Sequence, residues 1–268
     1  KMPDTPLSLQ GDRSIRASLN DAAAQLASVS PTARLDAELL MAHALGTTRD
    51  RMLLDGLDRD APAQSAALFA RRLAHEPVAY ITGERDFWTI TLHVAPGVLI
   101  PRADSETLIE AAVDHFRDRL PARILDLGTG SGALLLAALS QWSDAYGLGV
   151  DASERALEIA ELNVHSLNLD ERARFRLGDW AEGLDGQFDL ILCNPPYVES
   201  DAQLPREVAD YEPASALFAG AEGLDDYRRL APQIARLLAP AGCACVEIGK
   251  DQAASAGALY AAEGLSVT

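Results

Sequence analysis

Arg123-Ile-Leu-Asp-Leu-Gly-Thr-Gly-Ser-Gly132 is a short apolar run that passes directly into a glycine-rich turn. The run predicts a buried strand, and the turn would open a helix at about 131–140. Glycine has no Cβ atom, so a ligand can approach the backbone of such a turn closely. The spacing is G-x-G-x-G, which differs from the dinucleotide spacing G-x-G-x-x-G and lacks the lysine of a phosphate-binding loop. By itself the segment predicts either a ligand-binding turn or a tight turn that packs a helix on a sheet.

Strands and helices alternate on both sides of this turn. Strands are predicted at 123–127, 147–150, 174–177, 188–193 and 242–248, and helices at 104–120, 131–140, 153–167 and 224–238. Buried strands separated by helices imply a parallel sheet covered on both faces, and ligands of such sheets bind beyond the carboxyl ends of the strands. The pattern predicts an α/β, Rossmann-like fold. The last residues, Leu265-Ser-Val-Thr268, are predicted to lie within a further strand.

The first part of the chain has a different pattern. Residues 14–81 are predicted to be entirely helical, and Ser30-Pro31 is a helix start signal with the serine as N-cap. Gly46 lies where a C-cap is expected. The region contains no cluster of catalytic residue types, so it is expected to be a small helical bundle that serves packing or recognition.

A change of apolar period separates the two regions. Between Gly83 and Ile100 the period is two, and Ala95-Pro96-Gly97 is typical of a turn. This pattern predicts a β-hairpin. We therefore expect a helical domain at 1–82, a hairpin linker at 83–100 and an α/β domain at 101–268.

Composition limits the partners that the chain can bind. Forty acidic and 23 basic side chains give a net charge of −17. Nucleic-acid binding normally needs a basic face, whereas a protein partner with a basic surface would be attracted. No apolar run is long enough to span a membrane, and the N-terminus lacks the features of a signal peptide. Cys243 and Cys245 lie in an apolar run and are interpreted as buried thiols, so a reducing, cytoplasmic setting is expected, with no metal site.

Two acidic residues follow the next two predicted strands. Asp151 lies about twenty residues after the glycine turn, where a carboxylate would accept hydrogen bonds from a ribose; it would also suit an N-cap for the next helix. Asp179, followed by Trp180, would offer an acceptor and a stacking face to an adenine. Together with the glycine turn, this order resembles the ground plan of the Rossmann-like methyltransferases. A nicotinamide dehydrogenase is the competing class.

The motif Asn194-Pro195-Pro196-Tyr197 follows the fourth predicted strand and argues against a dehydrogenase. Two prolines cannot continue a ladder, so the chain turns away and the backbone is stiff. The nitrogen of a carboxamide is a poor nucleophile because its lone pair is delocalised. The Asn194 side-chain oxygen and the Pro195 carbonyl would hold its two hydrogens, while Tyr197 would stack on the planar group. Methyltransferases of nucleic-acid amines and of protein glutamines share this motif, which does not decide between them.

The whole chain resembles the protein-(glutamine-N5) methyltransferases of peptide-chain release factors. The resemblance lies in the phrases Leu35–Gly46, Glu76–Gly83, Asp86–Trp88, Val98–Glu106, Asp126–Gly132, Asn194–Tyr197, Tyr211–Pro213 and Gly220–Leu224. Ala103 and Ser105 depart from the family's pattern, which has a proline or an acidic residue and a threonine there. Arg102 and Glu106 belong to the same phrase, where a fold-supporting role is as good an interpretation as a functional one. Glu247, at the end of the fifth predicted strand, receives no role.

The resemblance implies S-adenosylmethionine as cofactor and the Gly-Gly-Gln loop of class I release factors as substrate, with the helical domain helping to dock the factor. The candidate cofactor residues are Gly128, Thr129, Gly130, Ser131, Gly132, Asp151, Asp179, Trp180 and Asn194. The candidate substrate residues are Asn194, Pro195, Pro196 and Tyr197, of which Asn194, Pro195 and Tyr197 are the catalytic candidates. Neither nucleic acid nor a membrane is an expected partner, and the oligomeric state stays open.

Three alternatives remain at this point. A sister enzyme that methylates a glutamine of a ribosomal protein would share nearly every motif. A nucleic-acid amino-methyltransferase would need a basic groove, which the acidic composition does not favour. A non-catalytic adaptor would be expected to have lost a turn glycine or Asn194, and all are present.

Overall fold

The computed structural model describes residues 13–268 and divides the chain into two compact units. One unit comprises the described residues up to Gly83 together with Arg206–Tyr211, and the other comprises Glu84–Pro205 and Glu212–Thr268. The short segment Arg206–Tyr211 was expected in the α/β domain. It belongs with the helices because the Tyr211 hydroxyl donates to the Ala74 carbonyl at 2.8 Å and Glu207 Oε2 pairs with Arg72 Nη2 at 2.8 Å.

The helical unit is built on six helices among the residues that the structure describes. These are α1 (Ile15–Leu26), α2 (Ala33–Leu45), α3 (Arg49–Asp55), α4 (Ser65–Leu73), α5 (Val78–Thr82) and, from the later segment, α9 (Arg206–Ala209). Buried aliphatic side chains of α1 and α2, among them Leu19 and Leu40, form its core with Phe69 of α4. The expected C-cap of α2 is confirmed, since Gly46 has a φ of 62°.

The start of α2 was predicted wrongly. Its N-cap is Thr32, whose hydroxyl donates to the Asp36 carboxylate at 2.9 Å. Ser30 accepts a hydrogen bond from the Thr32 amide at 3.1 Å, so the serine closes a turn before the helix. A serine can form such a local turn as readily as it caps a helix, and the sequence signal is the same in both cases.

The hairpin belongs to the second unit. Strands β1 (Glu84–Phe87) and β2 (Ile90–His93) pair antiparallel, with Phe87 opposite Ile90. Both of these side chains are buried in the core of the sheet unit. The Asn163 side chain bonds both the amide and the carbonyl of His93, at 2.7 Å and 3.0 Å. The hairpin, expected as a linker, is therefore packed against the sheet unit.

A five-stranded sheet forms the centre of the second unit. Its strands are β3 (Arg123–Leu127), β4 (Tyr146–Asp151), β5 (Ala173–Leu177), β6 (Phe188–Cys193) and β7 (Leu238–Val246). They pair parallel in the order β5-β4-β3-β6-β7, so the direction in which successive strands are added reverses between β3 and β6. Ligands of open parallel sheets bind at such a reversal, beyond the carboxyl ends of the strands.

Helices cover both faces of the sheet. They are α6 (Glu106–His115, preceded by a 3₁₀ turn at Ala103–Ser105), α7 (Ala133–Gln141), α8 (Glu154–Ser166), α10 (Asp225–Leu237) and α11 (Ala253–Ala262). Side chains of β3 alternate between the two cores: Ile124 packs with α6 and α7, and Leu125 packs with α10. This arrangement confirms the predicted Rossmann-like α/β fold.

The last residues of the chain and the two cysteines of β7 can be compared with the sequence predictions. Leu265–Thr268 lie outside any strand and follow α11, which ends before Gly264 at a φ of 84°. Cys243 and Cys245 are thiols on β7 with their sulfur atoms 3.7 Å apart; Cys245 is buried as predicted, whereas Cys243 is only partly buried. Within residues 13–268, no helix combines the length and the apolar character needed to cross a membrane.

Candidate active site

A cavity of about 430 Å³ opens at the carboxyl ends of β3, β4, β5 and β6. Its wall includes the glycine turn after β3, the acidic residues at the carboxyl ends of β4 and β5, and Asn194 and Pro196 after β6. Parallel strands place their ends at one edge of the sheet, so motifs that lie far apart in sequence meet there. The volume lies in the range of sites that bind small molecules and cofactors.

The glycine turn is held by backbone hydrogen bonds to β4. The amides of Gly128 and Thr129 both donate to the Val150 carbonyl, at 2.9 Å and 3.0 Å. Gly128 has a φ of 73°, which favours glycine, and a Cβ atom there would lie 3.0 Å from the ring of Trp180. Glycine at this position therefore satisfies both the backbone conformation and the close approach of the indole.

Asp151 joins the turn after β3 to the end of β4. Its Oδ2 accepts from the Gly130 amide at 2.8 Å, and its Oδ1 accepts from the Ser153 amide at 2.9 Å. The N-cap of α8 is Ser153, whose hydroxyl accepts from the Ala156 amide. Asp151 is thus not the helix cap. It lines the cavity with a carboxylate whose orientation two backbone amides fix.

Asp126 is fully buried beneath the turn. Its Oδ2 accepts from the Thr129 hydroxyl at 2.6 Å and from the Leu135 amide at 3.3 Å, whereas Oδ1 has no partner among the described residues. Burial raises the pKa of Asp126 to about 7, against the lowering effect of those two hydrogen bonds. The carboxyl therefore fixes the turn and the start of helix α7, and burial makes its ionised form unfavourable.

Trp180 closes one side of the cavity. Its Nε1 donates to Asp226 Oδ1 at 3.2 Å, which fixes the plane of the indole. Burial raises the pKa of Asp226. Asp179 pairs with Arg229 at 2.6 Å, so its carboxylate lies at the rim with a cation beside it. Asp226 and Arg229 line the same cavity, and sequence reasoning missed both; an acidic residue in the first turn of α10 was the only available signal.

The Asn194-Pro-Pro-Tyr197 turn is held from behind by later segments. Val198 bonds Leu217 and Ala219 through its backbone, at 2.8 Å and 2.9 Å. The Gln252 side chain donates to the Tyr197 carbonyl at 3.1 Å. A Cβ atom on Gly223 would lie 2.2 Å from that same carbonyl oxygen, so only glycine fits there. These contacts give the turn a fixed position relative to the sheet.

A chain of side-chain hydrogen bonds connects both ends of this turn to Glu247, the residue that follows β7. Asn194 Nδ2 donates to the Ser105 hydroxyl at 3.1 Å, and the Ser105 hydroxyl donates to Glu247 Oε2. The Tyr197 hydroxyl donates to Glu247 Oε1 at 3.1 Å. Burial, and then the Glu247 carboxylate beside it, raise the pKa of Tyr197 to about 12, so the phenol keeps its proton.

Arg102 and Glu106 occupy positions that support the fold around the cavity. Arg102 Nη2 donates to Glu212 Oε1 at 2.5 Å, and the Ile100 amide donates to Glu212 Oε2 at 3.2 Å. The Glu212 side chain is almost fully buried, and Arg102 lines the cavity. Glu106 Oε1 accepts from the Trp88 amide at 2.9 Å, which ties α6 to the hairpin.

The structure brings most of the predicted site residues to one cavity. Those that line it are Gly128, Thr129, Gly130, Ser131, Asp151, Asp179, Trp180, Asn194 and Pro196. Gly132 is the N-cap of α7, Pro195 is buried, and Tyr197 is half-buried against Glu247; in the described chain these three are not among the residues that line the cavity. Ser105 also lines the cavity, although its only signal in the sequence is a departure from the family's pattern.

The cavity residues fit a nucleoside cofactor. A fixed carboxylate, an oriented indole and a glycine backbone that permits close approach lie around one space. Carboxylates accept hydrogen bonds from paired hydroxyls, and indoles stack on flat bases. Asn194, with its Pro-Pro turn, lies on the same wall.

Comparison with known proteins agrees with this geometry. A family described as PrmC N-terminal domain matches residues 17–83, and a family described as methyltransferase small domain matches residues 92–213. The release factor glutamine methyltransferase of Rhodospirillum rubrum is 45% identical over 237 residues, which cover 87% of this chain and 73% of that protein. The protein of the same name from Bradyrhizobium diazoefficiens is 41% identical over 265 residues, covering 95% of this chain and 89% of that protein. The chain belongs to the family of release factor glutamine methyltransferases.

Proposed function

We propose that this protein transfers a methyl group from S-adenosylmethionine to the side-chain amide nitrogen, N5, of a glutamine in a peptide-chain release factor. The observation that carries the proposal is the position of Asn194, on the wall of the nucleoside-sized cavity and at the start of a rigid Pro-Pro turn. Family membership supports the substrate class, since the relatives are named for it.

The cofactor is S-adenosylmethionine, which supplies an electrophilic methyl group on a sulfonium. Asp151 would hold the ribose hydroxyls with the carboxylate that Gly130 and Ser153 orient. Trp180, fixed by Asp226, would offer its face to the adenine, and Asp179 would lie at the exposed rim beside it. Backbone of the segment from Gly128 to Gly132 would pass along the cofactor.

The remaining chemistry is positioning of a weak nucleophile. Asn194 gives its Nδ2 to Ser105, which leaves Oδ1 as the acceptor on the other branch of the amide. That oxygen and the Pro195 carbonyl would accept the two hydrogens of the target carboxamide and fix the direction of its nitrogen. Tyr197, held by Glu247, would support the planar group. No general base has to act before transfer, because the product amide can lose its proton afterwards.

The proposal also specifies the target glutamine and the part of this protein that binds the release factor. The target would be the glutamine of the Gly-Gly-Gln loop of class I release factors, and the helical unit would help to dock the factor. The net charge of −17 favours a partner with a basic surface and disfavours nucleic acid. A protein that modifies release factors would act in the cytoplasm.

A labelling experiment tests the proposal. Purified protein and labelled cofactor are incubated in parallel with release factor, with ribosomal proteins and with duplex DNA. We expect label in the release factor, and we expect Asn194→Ala to reduce its rate by on the order of 10²-fold or more while the protein still binds S-adenosylhomocysteine. Label in ribosomal protein or DNA with release factor untouched would reject the proposed substrate.

A further inference from the structure

The hydrogen-bond chain behind Asn194 has a defined direction. The Ser105 hydroxyl has one hydrogen, and the structure gives that hydrogen to Glu247. An ionised carboxylate is an acceptor only, so Glu247 cannot return a hydrogen to the serine. The Ser105 oxygen must therefore accept from its other neighbour, and the branch of the Asn194 amide that carries hydrogens is the one that faces it.

This direction decides what Asn194 presents to the cavity. A carboxamide has an NH₂ branch and an oxygen branch of nearly equal size, and local hydrogen bonds select between the two orientations. With Nδ2 committed to Ser105, the oxygen branch is the one available to a target carboxamide. The flipped orientation would present an NH₂ to the NH₂ of the target, which is a repulsive pairing. The Glu247 carboxylate thus determines, through Ser105, which branch of the Asn194 amide faces the cavity.

Glu247 is well placed to hold this polarity. Its backbone amide donates to the Cys193 carbonyl at 2.9 Å, so it continues the pairing of β7 with β6 directly beside Asn194. Its carboxylate accepts from Ser105 through one oxygen and from Tyr197 through the other, and its backbone carbonyl accepts from the Tyr227 hydroxyl at 3.1 Å. Ser105 is only 3% exposed, so water does not compete strongly for this hydrogen bond.

We infer that Glu247 is a positioning residue for methyl transfer, which acts through Ser105 to turn the acceptor oxygen of Asn194 toward the target carboxamide. The inference rests on the proposed function and adds to it the group that sets the selectivity for glutamine. A carboxamide target donates two hydrogens, whereas the isosteric glutamate side chain donates none. The polarity of Asn194 therefore distinguishes the two.

Glu247→Gln is the direct test, because it preserves size and removes the charge. A glutamine NH₂ can donate to Ser105, and the serine can then donate to Asn194 and reverse its amide. We expect kcat on release factor to fall by about 10²-fold, while the Kd for S-adenosylhomocysteine changes by less than about threefold. Glu158→Gln is the matched control: Glu158 lies exposed on α8 and pairs with Arg155, so its variant should behave as wild type.

A second pair of variants keeps the inference testable if Glu247→Gln does not fold. Ser105→Ala removes the hydroxyl that transmits the polarity, and Ser105→Thr keeps a hydroxyl in the same place. We expect a loss of about tenfold or more in kcat for Ser105→Ala and recovery of most of that loss in Ser105→Thr. A role that is only structural would not follow the hydroxyl.

The closing measurement is the binding preference for glutamine over glutamate. Release factors carrying Gln or Glu at the target position are titrated against wild type and Glu247→Gln, each saturated with S-adenosylhomocysteine. We expect wild type to prefer the glutamine factor and Glu247→Gln to lose most of that preference. An unchanged preference, or unchanged kcat in both Glu247→Gln and Ser105→Ala, overturns the inference while methylation by wild type keeps the proposed function. A wild-type protein that transfers no methyl to release factor would reject the proposed function and this inference together.

Discussion

The Gly130 amide donates a 2.8 Å hydrogen bond to Oδ2 of Asp151. The bond joins two candidate cofactor motifs that are 21 residues apart in sequence, and it fixes the carboxylate at the cavity wall. The glycine turn and the acid at the end of β4 are thus held together, and each fixes the position of the other. Loss of the Asp151 carboxylate should disturb cofactor binding more than it disturbs the fold.

Asp151→Ala should weaken binding of S-adenosylhomocysteine by about 1.5–3 kcal/mol, because a charged acceptor is lost. Calorimetric titration measures this, and the wild-type melting temperature in the absence of ligand serves as the control for folding. Unchanged affinity would mean that Asp151 only fixes the turn. Asp179→Ala offers a comparison, since Asp179 is half-exposed and paired with Arg229, and a smaller loss is expected there.

Gly128→Ala should reduce cofactor binding strongly. The added methyl group would lie 3.0 Å from the Trp180 ring and would require a strained backbone at a φ of 73°. Gly46→Ala is the matched control, because Gly46 has a similar φ of 62° but an added Cβ would meet nothing within 4 Å. Gly46→Ala should cost about 1 kcal/mol of stability and leave the affinity for S-adenosylhomocysteine unaltered. Equal effects of both variants on that affinity would show that the contact with Trp180 is unimportant.

Arg72→Ala should destabilise the helical unit. Arg72 is 3% exposed and pairs with the buried Asp36 at 2.7 Å, so its removal leaves an uncompensated charge. The expected loss in free energy of unfolding is about 3–5 kcal/mol. Arg71→Ala removes the neighbouring arginine, whose side chain is 43% exposed where it pairs with Glu76, and should cost about 1 kcal/mol or less. Urea titration measures the free energy of unfolding of both variants, and similar midpoints would contradict the assignment of a buried ion pair.

Asp126 should make the stability of the ligand-free protein depend on pH. Its pKa is raised by burial to about 7 in the folded state from an ordinary value of 3.8, so the folded protein holds a proton that the unfolded chain has lost. The stabilising contribution of that proton is complete below pH 3.8 and is lost as the pH rises through about 7. Relative to Asp126→Asn, the wild type should therefore lose melting temperature between about pH 5 and about pH 8. Parallel curves for the two proteins would rule out a protonated Asp126.

Local patterns in the sequence predicted most of the fold, and the residues that did not follow them show where such patterns stop. The strand at Phe188–Cys193 and the glycine turn were predictable because period and chain direction are local properties. The segment Arg206–Tyr211 was not, since its place with the helices depends on contacts to Arg72 and Ala74, more than a hundred residues away.

Some residues of the candidate site could likewise be predicted from local motifs, and others could not. Asn194 and Asp151 belong to motifs that can be recognised from neighbouring residues in the sequence. Glu247 and Ser105 are far apart in sequence, and their hydrogen bond forms only because the sheet places β7 beside β6. Asp226 likewise depends on α10 lying close enough for a hydrogen bond to Trp180. Single residues without a motif can be placed in a site only by the tertiary fold.

Mass spectrometry of the reacted release factor shows directly whether this protein methylates a glutamine in it. After incubation with S-adenosylmethionine, the peptide that spans the Gly-Gly-Gln loop should gain one methyl group on the side-chain amide of its glutamine. A factor in which that glutamine is replaced by alanine should gain none. A methyl group that persists in the alanine factor, or an unmodified loop peptide after complete cofactor turnover, would contradict the proposed function.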